Sequence, residues 1–230
     1  MADGDVVDLA ETAVSGRRLG RHVEHDARSR NYPAAVAPIA DVKHMRHGKP
    51  FDQGDLGSCT GNAMAGALMT APYYTASRVL TEPNAVSLYE QATHLDRVTG
   101  SYPPDDTGST GLAVAKAAKR DGYISAYSHA FGLQHALGAL TLAPAIAGIH
   151  WYTSFDTPLP TGECPLTAHA TVRGGHEIEL FGLDVEEQQI WAYQSWGPTW
   201  GGLGNGTFWF SYATFERLLA EKGDVTAFTA

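Results

Sequence analysis

A cysteine follows a glycine-rich turn in Phe51-Asp-Gln-Gly-Asp-Leu-Gly-Ser-Cys-Thr-Gly-Asn-Ala63, where the pattern turns helical. A thiol in a first helical turn faces backbone N–H groups without intrahelical partners and the positive end of the helix dipole. Both favour thiolate. The same N–H groups can donate to an oxyanion forming beside the sulfur of Cys59. Gln53, six residues earlier, carries a side-chain amide that would add a second donor. Gly54 and Gly57 permit the tight turn that brings it back over the thiol. Ser58 stands at the N-cap position. A structural core cysteine has no use for a glutamine and two glycines beside it, so Cys59 reads as a nucleophile.

A nucleophilic thiol needs a base. Gly174-Gly175-His176-Glu-Ile-Glu-Leu opens a predicted strand, and its two glycines clear side-chain bulk where another segment or a substrate would approach. If Asp184–Glu187 is the hairpin turn, antiparallel pairing sets His176 opposite Gln194 or Ser195. A side-chain carbonyl there would accept one imidazole N–H and fix tautomer and rotamer. Asp184 lies roughly 26 Å along the same strand at about 3.3 Å per residue, too far to serve. His169 is the competing base, but it lacks the glycine pair and sits in a polar stretch. Glu177 and Glu179 alternate onto the opposite face and are expected to meet solvent or a partner.

The elements that must carry these groups run helices first, strands second. Helices are predicted over Cys59–Ala71 (closed by Pro72), Ser87–Val98, Gly111–Arg120 and Gly132–Leu140. Ala143–Trp151 reads as a buried strand, followed by His176–Leu183, Ile190–Ser195 and Gly206–Tyr212. This order predicts an α+β fold in two lobes.

Residues 1–50 hold 8 basic and 7 acidic residues, against 8 and 18 in the remainder, so residues 1–40 read as an extended strap over an acidic body. An inhibitory or docking role for that arm is the alternative. The four histidines in the first 50 residues are expected to be solvent-exposed. The net charge of −9 argues against nucleic-acid binding. Two cysteines can make neither a disulfide framework nor a four-thiolate metal site, and no histidine has metal-ligand spacing. No cofactor or metal is expected. No run is long and apolar enough to span a membrane, and the acidic start lacks a signal-peptide core, so the expected location is cytoplasmic, with virion association or non-classical release as alternatives.

Together these segments resemble the papain-like cysteine peptidases. In that family a Gln-Gly…Gly-Ser-Cys turn supplies oxyanion glutamine and nucleophile, Gly-His supplies the base, and Asn-Ser-Trp-Gly-x-x-Trp-Gly supplies the orienting residue and its tryptophan cover. Here Gln53, Cys59 and His176 match the first three roles. Ser195-Trp196-Gly197-Pro198-Thr199-Trp200-Gly201 matches the cover, and Gln194 stands where the family has asparagine. Thr60 after the nucleophile is similar to shorter bacterial and phage relatives with Gly-Ser-Cys-Thr. The resemblance implies a papain-like catalytic domain over residues 41–230, with a helical lobe at about 55–140, an antiparallel β lobe at about 141–230 and a cleft between them. It implies a peptide or protein substrate lying along Gly57, Ser58, Gly108, Ser109, Gly175 and Trp196. The expected activity is peptide-bond hydrolysis through a Cys59 acyl-enzyme, weakened if Gln194 holds His176 poorly. The alternatives are an inactive binding or structural module on the same scaffold, as in a phage assembly, and, ranked last, acyl transfer to an amine. Cys164, in Gly-Glu-Cys-Pro, has no base or glutamine near it and reads as a bystander.

Overall fold

The computed structural model describes residues 6, 7, 9–12, 14 and 16–230. Among them are five α-helices and nine strands. The first strands are short: β1 (Val6–Val7) pairs with β2 (Val23–Glu24), and β3 is Val42–Lys43. Helix α1 (Cys59–Leu68) is buried along its whole length. Its small residues make that possible: a Cβ at Gly61 would collide with the Ala85 carbonyl oxygen of α2 (Glu82–Thr93).

Helix α2 begins five residues before the expected Ser87. Thr81 caps it, with Asn84 closing a capping box in place of the usual Glu or Gln, and Pro83 sits in its first turn. Helix α3 (Gly111–Arg120) has the expected bounds. Thr110 Oγ1 accepts from Ala113 N at 3.1 Å, and Lys119 and Arg120 oppose the negative helix end. Met64, Leu68, Leu88, Val114 and their alanine neighbours make these three helices one core.

The second core belongs to a seven-stranded sheet. It comprises β3, β4 (Ala126–Ala130), β5 (Ala145–Tyr152), β6 (Val172–Asp184), β7 (Gln189–Tyr193), β8 (Thr207–Ser211) and β9 (Asp224–Thr229). The order is β4-β9-β5-β6-β7-β8, with β3 also on β6. Helices α4 (Leu133–Leu142) and α5 (Tyr212–Ala220) contribute Leu137, Leu140, Phe215 and Leu218 to this core, around Trp151, Phe155, Phe208 and Phe210. The mixed helical and antiparallel arrangement is the α+β fold expected. Strands β4 and β9 and helix α5 were not foreseen.

Three expectations about polar segments and residues fail. The stretch Arg17–Glu24 is not a surface strap: Leu19 is fully buried, and Arg21 and Val23 are 1% and 2% exposed. Burying an aliphatic side chain contributes about 1.5–3 kcal/mol, so Leu19 and Val23 anchor this arm firmly. His22, His44 and His47 are half-buried, and only His25 is exposed. Glu177 and Glu179 are buried as well, because helices α1 and α3 cover that face of β6. Glu179 is partnered by Arg46 and by Thr70 Oγ1 at 2.5 Å.

Candidate active site

The turn before α1 is built around Gln53. Gly54 adopts φ +57°, a left-handed conformation that glycine enters freely. The Gln53 side chain then folds inward, 7% exposed, and its amide donates to Leu56 O at 2.8 Å and Leu19 O at 3.2 Å. Asp106 accepts from Gly57 N with both carboxylate oxygens at 3.0 Å, and Tyr89 Oη donates to Asp106 Oδ1 at 2.7 Å. Ser58 precedes α1 but does not cap it with its hydroxyl. Its ψ of 22° is not extended, and Asn62 Nδ2 donates to Ser58 Oγ at 3.0 Å instead.

Cys59 is fully buried and unpaired, and so is Cys164. Burial pushes the Cys59 thiol up, against the backbone N–H of Glu177 and of Thr60, which favour thiolate. The Glu177 N–H belongs to the residue next to His176, so β6 meets the start of α1 at the sulfur.

His176 is fully buried on β6 opposite Ile149 of β5. A bulge between Leu180 and Gly182 shifts β7 from the expected register, and Asp184 pairs with Gln189 across a turn at 185–188. Gln194, just past β7, still reaches the imidazole: its Oε1 lies 2.5 Å from His176 Nε2. That atom also accepts from Ser195 N at 2.7 Å, which identifies it as the oxygen and assigns the imidazole proton to Nε2. Nδ1 keeps its lone pair and has no hydrogen-bond partner. The added methylene of glutamine is absorbed by folding the side chain back onto the following residue's N–H. Burial lowers the His176 pKa to about 3, with Gln194 opposing and the Arg173 charge assisting.

A polar chain completes the centre. Ser195 Oγ donates to Gln53 Oε1 at 2.5 Å, linking Gln53 to the residue beside Gln194. Trp196 tilts over His176 at 5.4 Å between ring centres, Trp151 meets the imidazole edge at 5.1 Å, and Trp200 packs edge-on against Trp196. Trp151, Asp106, Tyr89 and the Ser195 hydroxyl are contributors that sequence reasoning did not assign. Only the topology brings them here. His169 lies exposed in a turn, and Gln194 holds His176 rather than it. Among the described residues no group of three or more His, Cys, Asp or Glu is placed to hold a metal ion. No helix among them is long and apolar enough to cross a membrane.

Of the residues expected to bind substrate, Gly57, Gly108, Ser109, Gly175 and Trp196 lie against the N-terminal arm, whereas Ser58 is buried beside Asn62. Arg18 N donates to Gly54 O at 3.2 Å, Gly20 N and Arg21 N donate to Gly175 O at 3.2 and 3.0 Å, and Ser109 N donates to Gly20 O at 2.8 Å. Trp196 Nε1 donates to Arg18 O at 3.0 Å. The glycines are what admit the arm. A Cβ at Gly175 would collide with Arg21 O, one at Gly108 (φ +71°) with Gly20 O, and one at Gly20 with Gly57 O. The bulk-free approach predicted before His176 is therefore used by the chain itself.

No known family profile matches the sequence, and no curated protein matches it. Solved structures do. Xylellain, a cysteine protease from Xylella fastidiosa, superposes with a TM-score of 0.71 at 19% identity, over 95% of this chain and 99% of that one. Digestive procathepsin L 3 of Tenebrio molitor gives 0.64 at 13% identity, over 97% and 84%. Procathepsin B S9 from Trypanosoma congolense gives 0.62 at 12%, over 93% and 87%. With a helical core beside a sheet core, and with β6 bringing the hydrogen-bonded His176 and Gln194 to the start of α1, this chain has the fold of the papain-like cysteine proteases.

Proposed function

We propose that the protein is a cysteine peptidase held closed by its own N-terminal arm. The observation that carries this reading is the tautomer at His176. Gln194 Oε1 accepts the hydrogen bond of His176 Nε2–H, so Nδ1 carries the free lone pair, and the adjoining Glu177 N–H lies at the Cys59 sulfur at the start of α1. In the open enzyme Nδ1 draws the proton from Cys59, the thiolate attacks the substrate carbonyl, and the Cys59 N–H with the Gln53 amide holds the oxyanion. His176 then protonates the leaving amine, and the acyl-enzyme is hydrolysed by water that His176 activates. Residues 1–40 act as a removable segment on a catalytic domain of residues 41–230. In the closed state the arm excludes water, and the thiol and imidazole both rest uncharged.

That resting burial also favours the second reading, a binding module on the same scaffold. Nicking the arm by limited proteolysis and then assaying peptide–fluorophore substrates separates the two. A peptidase gains turnover that Cys59→Ala abolishes. A module gains none, and its thiol stays as slow toward iodoacetamide at pH 6 as a free cysteine.

A further inference from the structure

The arm leaves one side chain in a pocket of unusual chemistry. Arg21 points into the protein with a fully buried guanidinium. Its Nη2 contacts Asp224 Oδ2 on β9 and donates to Lys222 O at 3.0 Å, whereas its Nε and Nη1 have no hydrogen-bond partner. Nearby, Glu177 is 1% exposed and neither of its carboxylate oxygens has a partner. Burial raises the Glu177 carboxyl well above the usual range. The Asp224 charge adds to this and the Arg21 charge opposes it.

Two glycines hollow out the space. A Cβ at Gly148 of β5 would occupy the place of Arg21 Nε, and one at Gly111, the first residue of α3, would stand 2.8 Å from Glu177 Oε1. Asp224, whose side chain is 22% exposed, also lines a cleft of about 440 Å³ together with Glu24, His25, Leu112 and His129, so the pocket reaches solvent there. When the arm leaves, Arg21 leaves with it, and so do Glu24 and His25. What stays is two carboxylates, Glu177 and Asp224, the Lys222 carbonyl and, close by, the half-buried His150, whose pKa is lowered by burial. A buried carboxylate without a partner is costly, and a cation with several N–H donors would relieve both groups at once.

We infer that this pocket is a substrate subsite selecting an arginine or lysine side chain within two residues of the scissile bond, and that Arg21 occupies it in place of substrate. The spacing follows from the arm, on which the Leu19 carbonyl meets Gln53 and the Arg21 side chain fills the pocket two residues on. This assignment rests on the peptidase reading and names its substrate class.

The test uses the full-length chain in two arms. The first reads occupancy without catalysis, as the rate of Cys59 alkylation by iodoacetamide at pH 7, followed by mass. Arg21→Met should speed alkylation at least tenfold, whereas Arg21→Lys should stay within about threefold of the parent. Equal rates for Met and Lys overturn the cation selectivity. The second arm takes the Arg21→Met chain and fluorogenic peptides that vary the two positions on either side of the cleaved bond. Arginine or lysine at one of these positions should be preferred at least tenfold over leucine. Asp224→Asn should cut that ratio below threefold, and Gly148→Ala should lower it without touching either carboxylate. Turnover that is indifferent to the basic side chain overturns the pocket alone and leaves the peptidase standing. Turnover of no peptide overturns the peptidase, and the substrate assignment with it, even where the alkylation order holds.

Discussion

Gln53 and Leu19 are joined by a hydrogen bond: the side-chain amide that would hold an oxyanion donates to the Leu19 carbonyl oxygen at 3.2 Å. The arm thus occupies the donor that the proposed mechanism uses, and it fits only because Gly20 lies against Gly57. Gly20 has φ +131°, and a Cβ there would run into the Gly57 carbonyl. Gly20→Val should lift the arm without altering any catalytic group. Cys59 alkylation at neutral pH should rise at least tenfold, and basal peptide hydrolysis should appear. A variant as inert as the parent on both counts would show that the arm does not govern access.

Gln194 Oε1 holds two donors, His176 Nε2 and Ser195 N, and the Gln194 N–H is itself fixed on Gly206 O at 2.9 Å. Gln194→Ala leaves a buried imidazole N–H without an acceptor. Hydrogen bonds to groups that become charged are worth about 1.5–3 kcal/mol, so kcat of the opened enzyme should fall roughly ten- to hundredfold with KM little changed. Gln194→Asn should not improve on the parent, because the shorter side chain cannot meet both donors from this backbone. Steady-state kinetics of the two variants decide it, and a tenfold gain for asparagine would mark glutamine as a weakening residue.

Local geometry was legible where it depends on short-range sequence. His176 and Gln194 are hydrogen-bonded, as the hairpin reading implied, and Gly175 admits another segment beside His176. What failed depends on long-range packing. Period-2 alternation correctly put Glu177 and Glu179 on the face opposite His176, but it cannot say that α1 and α3 cover that face. The arm looked like a strap because its polar composition hides three anchors, Leu19, Arg21 and Val23, and room for the first two is made by the distant Gly174, Gly148 and Gly175. Asn84 in a capping box likewise escaped a pattern that looks for Glu or Gln.

Arg46 and Glu179 form a buried ion pair, with side chains 4% and 1% exposed, and Thr70 Oγ1 donates to the same carboxylate. The pair ties the segment after β3 to the middle of β6, and Thr70, just past α1, joins it there. Arg46→Met strands the carboxylate, and breaking a buried pair from one side costs about 3–5 kcal/mol. For a chain of this size each kcal/mol lowers Tm by about 2–4 °C, so a drop of roughly 6–20 °C is expected in a thermal melt. Arg46→Met with Glu179→Leu should recover most of it, since an apolar pair of similar volume replaces both charges. If the double variant melts no higher than the single one, the loss comes from packing rather than from the stranded charge.

Acid should open the arm. In the closed state burial holds His176 near a pKa of about 3, whereas a solvated imidazole titrates near 6.5. Between these values the open state binds a proton that the closed state does not. The contribution of His176 to closure is therefore complete above pH 6.5 and is lost as pH falls toward 3, at up to about 1.4 kcal/mol per pH unit. Glu177 works in the opposite direction, because its raised pKa favours the closed state at low pH and that contribution is lost as pH rises. The thiol of Cys59, pushed up by burial, stays protonated throughout this window. Hydrogen exchange over residues 17–24, measured in a Cys59→Ser chain to prevent self-cleavage, isolates the conformational step. Exchange should accelerate as pH drops from 6.5 after correction for the intrinsic rate. Glu177→Gln should steepen that rise by removing the opposing group. His176→Gln should flatten it, and a steep profile in that variant would assign the trigger to other groups.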